Sequence, residues 1–164
     1  MSCLRTHDTA PGFPVESRMI QRILVATDFS EDADRALAVA IHFGRRLKGT
    51  VDLVHVYDLP MTMTLSVAGA VAPAVPATDD MLNAYRQLGQ RTDKVREAGV
   101  DCVATALGGD AAVQIVAQAQ KVRADLVVMG RRGLSGLRRL LLGSVTERVL
   151  RTIGTPVLVI PPRP

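Results

Sequence analysis

Four residues in the C-terminal half of the chain, Gly130, Gly133, Gly143 and Ser144, combine types and spacing that could hold a phosphate. Glycine lets the main chain turn sharply and come close to a ligand. A helix starting at Ser144 would present first-turn N–H groups that have no intrahelical acceptor, and such groups bind anions. Ser144 adds a hydroxyl. The pattern is not a GxxxxGK[ST] loop, since no Lys lies nearby, and no GxGxxG follows the first apolar run. Four arginines, Arg131, Arg132, Arg138 and Arg139, flank the glycines. Residues 131–151 hold six Arg against one acid, Glu147, for a net +5, while the rest of the chain nets −1. The formal +4 is therefore the property of one segment. A solvated face is the default role of such a run and nucleic-acid backbone binding is another. Their place beside the glycines favours phosphate contact by one or two of them. Two of the polar residues also have purely structural roles open to them. Ser144-Val145-Thr146-Glu147 fits an S-x-x-E capping box, in which the hydroxyl caps a helix for about 1 kcal/mol. Asp28, which follows the first apolar run, could be a turn residue at a helix entry.

These residues need elements to carry them. Arg22–Thr27 (RILVAT) is a short apolar run suited to a strand buried on both faces. Asp28-Phe29-Ser30 forms a turn, with Ser30 as N-cap and Glu31 and Asp32 favourable to the helix dipole. Ala33, Leu37, Ala40, Ile41, Gly44 and Leu47 recur at helical spacing, and Gly49 ends that helix. Val51–Tyr57 is a second strand. Asp79 or Asp80 opens a helix with Met81, Leu82, Tyr85, Leu88, Thr92 and Val95 on its apolar side and Gly99 at its C-terminal end. Val100–Leu107 is a third strand. Asp110 caps a helix marked by Ala112, Val113, Val116 and Ala119. Asp125–Met129 is a fourth strand, Ser144–Ile153 a fourth helix and Pro156–Ile160 a fifth strand. Strict alternation with continuous apolar strands predicts an α/β fold, a doubly wound open sheet of five parallel strands with helices on both faces. Ligands of such sheets bind at the carboxyl ends of the strands, where strand order reverses. That rule points to Asp28 and to Gly130 onward. Residues 1–19 form a tail and 20–164 a single domain. Within it, the Pro/Ala-rich residues 58–78 are expected to be a mobile loop, a lid or an insertion without a role.

Composition narrows the function classes. The chain has 164 residues, 48% of them apolar, which is enough for a core and excludes global disorder. Phe and Tyr together make up 3% and there is no Trp, so a stacking platform for single-stranded nucleic acid is disfavoured and nucleic acid is not the expected partner. Cys3 and Cys102 form no CxxC, and Cys102 reads as inert core. His7, His42 and His55 make no metal constellation. His55, among apolar neighbours on a strand, reads as a hydrogen-bonded, half-buried residue. No apolar run is long enough to span a bilayer and no signal peptide is evident, so a cytoplasmic protein without a membrane partner is expected. No general base stands beside the glycines, so any hydrolysis of a bound phosphate is expected to be slow.

The glycine segment is similar to the signature G-x2-G-x9-G-[ST] of the ATP-binding branch of the universal stress protein family, matched in full at Gly130, Gly133, Gly143 and Ser144. ILVATDFSEDADRAL, LVHVYD, ADLVVMGRRG, GSVTERVL and TPVLVIP also resemble that family, so the likeness covers roughly residues 20–161. It implies a Rossmann-like sheet of order 3-2-1-4-5 that binds ATP, with Mg²⁺ accompanying the phosphates. It also implies a homodimer through the C-terminal strand, residues 156–160. In this likeness Asp28, with Ala26 and Thr27 beside it, lies near ribose and adenine, and the main chain of Val56 meets the adenine edge. Met129 and Gly130 line the same pocket. Gly133, Gly143, Ser144, Val145 and Thr146 surround the phosphates, with Arg132 at a variable position. The tail and the Pro/Ala-rich segment depart from the family pattern. The alternatives are a dimeric interaction module of the same fold that binds no nucleotide, and a slow ATPase or nucleotidyl-transfer relative. Against the latter, the first strand runs into ATDFS, not SGGxDS.

Overall fold

The computed structural model describes residues 20–58, 79–133 and 142–162. The expected tail, residues 59–78 of the expected loop, and Arg138 and Arg139 lie outside the described residues. Five strands, β1 (Arg22–Ala26), β2 (Thr50–Tyr57), β3 (Cys102–Gly108), β4 (Leu126–Gly130) and β5 (Val157–Ile160), alternate with four helices, α1 (Glu31–Leu47), α2 (Asp79–Glu97), α3 (Ala111–Lys121) and α4 (Ser144–Thr152). All pairings are parallel, as the alternation predicts, and the order is β3-β2-β1-β4-β5, as the family resemblance implies. The order reverses at β1, whose Val25 is flanked by Leu53 of β2 and Val128 of β4.

Strand periodicity divides the core into two layers. Ile23, Val25, Val51, Leu53 and Val128 face α1 and α2, where Ala36, Leu37, Ala40, Leu88 and Val95 cover them. Leu24, Ala26, Val54, Val127 and Met129 face α3 and α4, covered by Ala112, Ile115, Ala119 and Val149. The central strands β1 and β4 are buried on both faces, as expected. The edge strand β3 is not, and its Val103 is half exposed.

Ser30 caps α1 as predicted, its Oγ accepting from Ala33 N–H at 3.2 Å. Asp110 caps α3, its Oδ1 accepting from Val113 N–H at 3.0 Å. Four helix details differ from expectation. The residue that ends α1 is Lys48, left-handed at φ 53°, not Gly49. Gly49 is needed for another reason, since a Cβ there would lie 2.7 Å from the Gln21 carbonyl oxygen. In α2, Leu82 and Tyr85 are exposed, and the buried stripe is Ala84, Leu88, Arg91, Thr92 and Val95. The cause is register: this stripe also follows i, i+4, i+7 spacing, but one of its members is charged. In α3, Val113 is exposed and the buried positions are Ala112, Ile115, Gln118 and Ala119. In α4, Gly143 is the N-cap and Ser144 is already the first helical residue. No helix among the described residues is long and apolar enough to cross a membrane.

Candidate functional site

A cleft of about 270 Å³ opens at the carboxyl ends of β1, β2 and β4, on the α3–α4 side of the sheet, at the point where strand order reverses. It is lined by all twelve residues singled out above: Ala26, Thr27, Asp28, Val56, Met129, Gly130, Arg132, Gly133, Gly143, Ser144, Val145 and Thr146. Sequence reasoning missed Ala33, Val54, Ala111 and Ile115. Val54 and Ile115 carry a signal that could have found them, since both are apolar residues on the sheet or helix face that the cleft shares. The cleft has two halves. One is aliphatic, built from Ala26, Val54, Val56, Ile115 and Met129. The other combines the N-terminus of α4 with Arg132 and the glycines. Among the described residues, no aromatic ring is in the wall.

The wall contributed by β2 has an open main-chain edge. Thr27 N–H donates to the Val54 carbonyl at 2.9 Å, the last main-chain bond between β2 and the β1 chain among the described residues. Main-chain groups alternate direction along a strand, so the N–H and C=O of Val56 point to the same side as those of Val54, past the end of β1. A donor and an acceptor therefore stand together above an aliphatic floor.

The three motif glycines act through close approach, and none has positive φ. A Cβ at Gly130 would lie 2.9 Å from the main chain of Asp32, so Gly130 lets the start of α1 press against β4. A Cβ at Gly133 would collide with Asp28 Oδ2. A Cβ at Gly143 would lie 3.2 Å from the Arg131 carbonyl oxygen. Gly143 N–H donates to that same oxygen at 2.9 Å, which pins the base of the excursion between Arg131 and Gly143. Thr146 Oγ1 donates to the Gly130 carbonyl at 3.1 Å, fixing α4 on the end of β4. That hydroxyl is buried and engaged, so it is the main chain of Thr146 that offers a donor to the cleft.

With Gly143 as N-cap, the capping-box expectation fails. No side chain caps α4, Glu147 pairs with Arg151 at 2.6 Å, and Ser144 Oγ is exposed at the cleft. The first-turn N–H groups of Ser144, Val145 and Thr146 have no intrahelical acceptor. Arg132 Nε is buried and has no hydrogen-bond partner. Asp28 stands between the halves, its Oδ1 accepting from Ser30 N–H at 3.1 Å and from Ser30 Oγ–H at 2.6 Å. The turn role and a place in the cleft are thus both filled by one carboxylate. Beside the mouth, Asp110 is held below the usual carboxylate range by the hydrogen bond from Arg148, at 2.7 Å, and then by Val113 N–H. Cys102 is buried in the opposite layer, and burial pushes its thiol pKa up, in keeping with an inert core residue. His55 is half buried, and its Nδ1 donates to the Thr27 carbonyl at 2.8 Å. Among the described residues no group of three or more His, Cys, Asp or Glu could hold a metal ion.

The universal stress protein family profile matches residues 19–161, nearly the whole chain. The chain belongs to the universal stress protein family. Universal stress protein MJ0531 of Methanocaldococcus jannaschii is 33% identical over 147 residues, covering 87% of this chain and 82% of that protein. The solved structure of MJ0577, from the same organism, superposes with a TM-score of 0.68 at 27% identity, covering 89% of this chain and 99% of the other. A universal stress protein from Archaeoglobus fulgidus, solved in complex with dAMP, superposes with a TM-score of 0.61 at 25% identity, covering 87% and 98%.

Proposed function

We propose that this universal stress protein binds ATP in the cleft and that the nucleotide acts as a regulatory ligand, with at most slow hydrolysis. The observation that carries the reading is the union of an aliphatic slot with an anion-ready helix start. A flat, apolar, hydrogen-bonding base suits Val54, Val56, Ile115 and Met129 with the open main-chain edge of Val56. Phosphates suit the α4 amides and Arg132, whose orphaned Nε lacks the acceptor a phosphate oxygen supplies. The dAMP complex of the Archaeoglobus fulgidus relative supports an adenine nucleotide. Mg²⁺ would ride on the phosphate oxygens and neutralise their charge. Arg132, Ser144 and the α4 amides are the groups of this chain placed to orient that pair. The role is one of population shift, ATP favouring one arrangement of the chain and its assembly. The assembly in this proposal is a homodimer through residues 156–160, which is supported by β5 being a short apolar strand at the sheet edge.

Thermal melting with and without Mg·ATP tests the reading. At ligand near 100 times Kd the expected stabilisation is about 2.7 kcal/mol. For a domain of this size that raises Tm by roughly 5–10 °C. No shift at millimolar Mg·ATP would overturn nucleotide binding.

A further inference from the structure

The turn that carries Asp28 contains an anomaly that the cleft itself does not explain. Phe29 is a non-glycine residue at φ 67°, a left-handed conformation that aromatic residues rarely adopt. It is held there from three sides. Its N–H donates to Thr27 Oγ1 at 3.1 Å. One ring face stacks on His55, centroids 4.2 Å apart, and His55 is itself fixed to the Thr27 carbonyl. The Arg91 guanidinium lies 4.8 Å from the ring centroid, and its Nη2 donates to the Phe29 carbonyl at 3.2 Å. Arg91 is 8% exposed, and its fork also grips both carboxylate oxygens of Asp34 on α1, at 2.7 and 3.0 Å. None of Phe29, His55 and Arg91 lines the cleft. A buried arginine on α2 thus ties α2, the start of α1 and the strained residue next to Asp28 into one unit.

We infer that Arg91 is a positioning residue: acting through Phe29, it fixes the Asp28 carboxylate to accept a hydrogen bond from a ribose hydroxyl of the bound nucleotide. The inference rests on the nucleotide reading of the cleft. An ionised carboxylate repels phosphate and accepts from a hydroxyl. Asp28 stands between the aliphatic slot and the anion-ready helix start, where the sugar of a nucleotide spanning both would lie. Ser30 holds Oδ1, and the left-handed Phe29 lies between Asp28 and Ser30 in the same turn. Strain of this kind persists where surrounding contacts over-determine it. Here two of the three contacts, those of His55 and Arg91, come from outside the cleft. Lysine cannot replace the fork, because a point charge cannot bond both Asp34 oxygens and the Phe29 carbonyl while lying over the ring.

The test is the ratio of affinities for ATP and 2′,3′-dideoxy-ATP, measured by calorimetry on the full chain. A general loss of stability weakens both ligands alike and leaves the ratio alone. The wild type is expected to prefer ATP by about tenfold, one hydrogen bond to a charged acceptor. Asp28→Asn and Arg91→Met each bring the ratio close to one, and combining them lowers it no further. Arg91→Lys falls between wild type and Arg91→Met. Phe29→Gly is the second variant, since glycine adopts this φ freely and the chain should fold. It too is expected to lose the preference, having lost the stacked ring that holds the turn. A folded Arg91→Met or Phe29→Gly protein that keeps the full ratio overturns the inference. So does a wild type that binds both ligands equally. A wild type that binds neither is a separate failure, that of the nucleotide reading, and it takes the inference with it.

Discussion

Two β–α turns meet at the cleft. After β1 the chain turns through Asp28, Phe29 and Ser30, and side chains do the bonding: Thr27 Oγ1, Asp28 Oδ1 and Ser30 Oγ each accept a main-chain N–H. After β4 it turns through Gly130 to Gly133 and returns at Gly143, with main chain packed against main chain. The oxygens Thr27 Oγ1, Asp28 Oδ1 and Ser30 Oγ of the first turn are engaged within it. The second turn keeps donors in reserve, in Arg132 Nε and the first amides of α4. The difference separates two tasks. A carboxylate must be aimed, and a fixed turn aims it. An anion would have to be received, and in the proposed site the open donors of Arg132 and the α4 amides would receive it.

The turns touch at Gly133, and substitution there should have the largest effect. A side chain at Gly133 collides with Asp28 Oδ2, and the Asp28 carboxylate cannot swing away freely while Ser30 holds its other oxygen. Gly133→Val is therefore expected to weaken Mg·ATP binding at least a hundredfold, about 2.7 kcal/mol. The fold should survive, because Gly133 is half-buried at the cleft rim. Calorimetric titration alongside circular dichroism checks both halves of this expectation. Binding within threefold of wild type would mean that the two turns do not jointly form the ligand site.

The next contrast compares two serines that look alike in sequence. Both Ser30 and Ser144 precede a helical pattern. Ser30 is the N-cap of α1, whereas Ser144 lies one position inside α4 and caps nothing. Ser30→Ala is expected to cost about 1 kcal/mol of stability in urea denaturation. Ser144→Ala should stay within about 0.5 kcal/mol, the range of an exposed substitution without a special role. Equal losses in the two variants would remove the distinction between a bonded turn and a reserved one.

How far the sequence could be read follows the same division. The strands and their parallel pairing were legible because each apolar run is short, continuous and separated by a helical period, whereas their order came from the family resemblance. The cleft was legible because the switch-point rule and the glycine spacing converge on one end of the sheet. The hidden parts are those where one residue type serves two patterns. Ser144-x-x-Glu147 matches a capping box, yet Gly143 takes the cap because its missing Cβ lets it lie against Arg131. Arg91 was hidden for a related reason. Leu82 and Tyr85 suggest an apolar stripe, while the true stripe buries an arginine whose shortest bonds go to tertiary partners on α1 and the Phe29 turn. Nothing local to α2 announces those partners.

The smallest effect is expected at the rim, where Asp110 joins the N-terminus of α3 to Arg148 of α4. The folded protein lowers the Asp110 pKa below its ordinary value of 3.8, through Arg148 first and Val113 N–H second. A carboxylate with a depressed folded pKa adds stability that is fully present above its unfolded value and fades as pH falls through the folded one. Its contribution is thus constant from pH 7 down to about 5 and is lost below about 3.8. The pair is solvent-exposed, so salt screens it and its weight is small. Asp110→Asn keeps an acceptor for the cap and removes the titration. Its urea midpoint should match the wild type closely at pH 7, and its stability should fall less steeply than wild type below pH 4. If the two proteins lose stability in parallel down to pH 3, Asp110 is not tied to Arg148 in solution. The α3–α4 wall of the cleft would then rest on apolar contacts, those of Ala112, Ile115, Ala119 and Val149 among them.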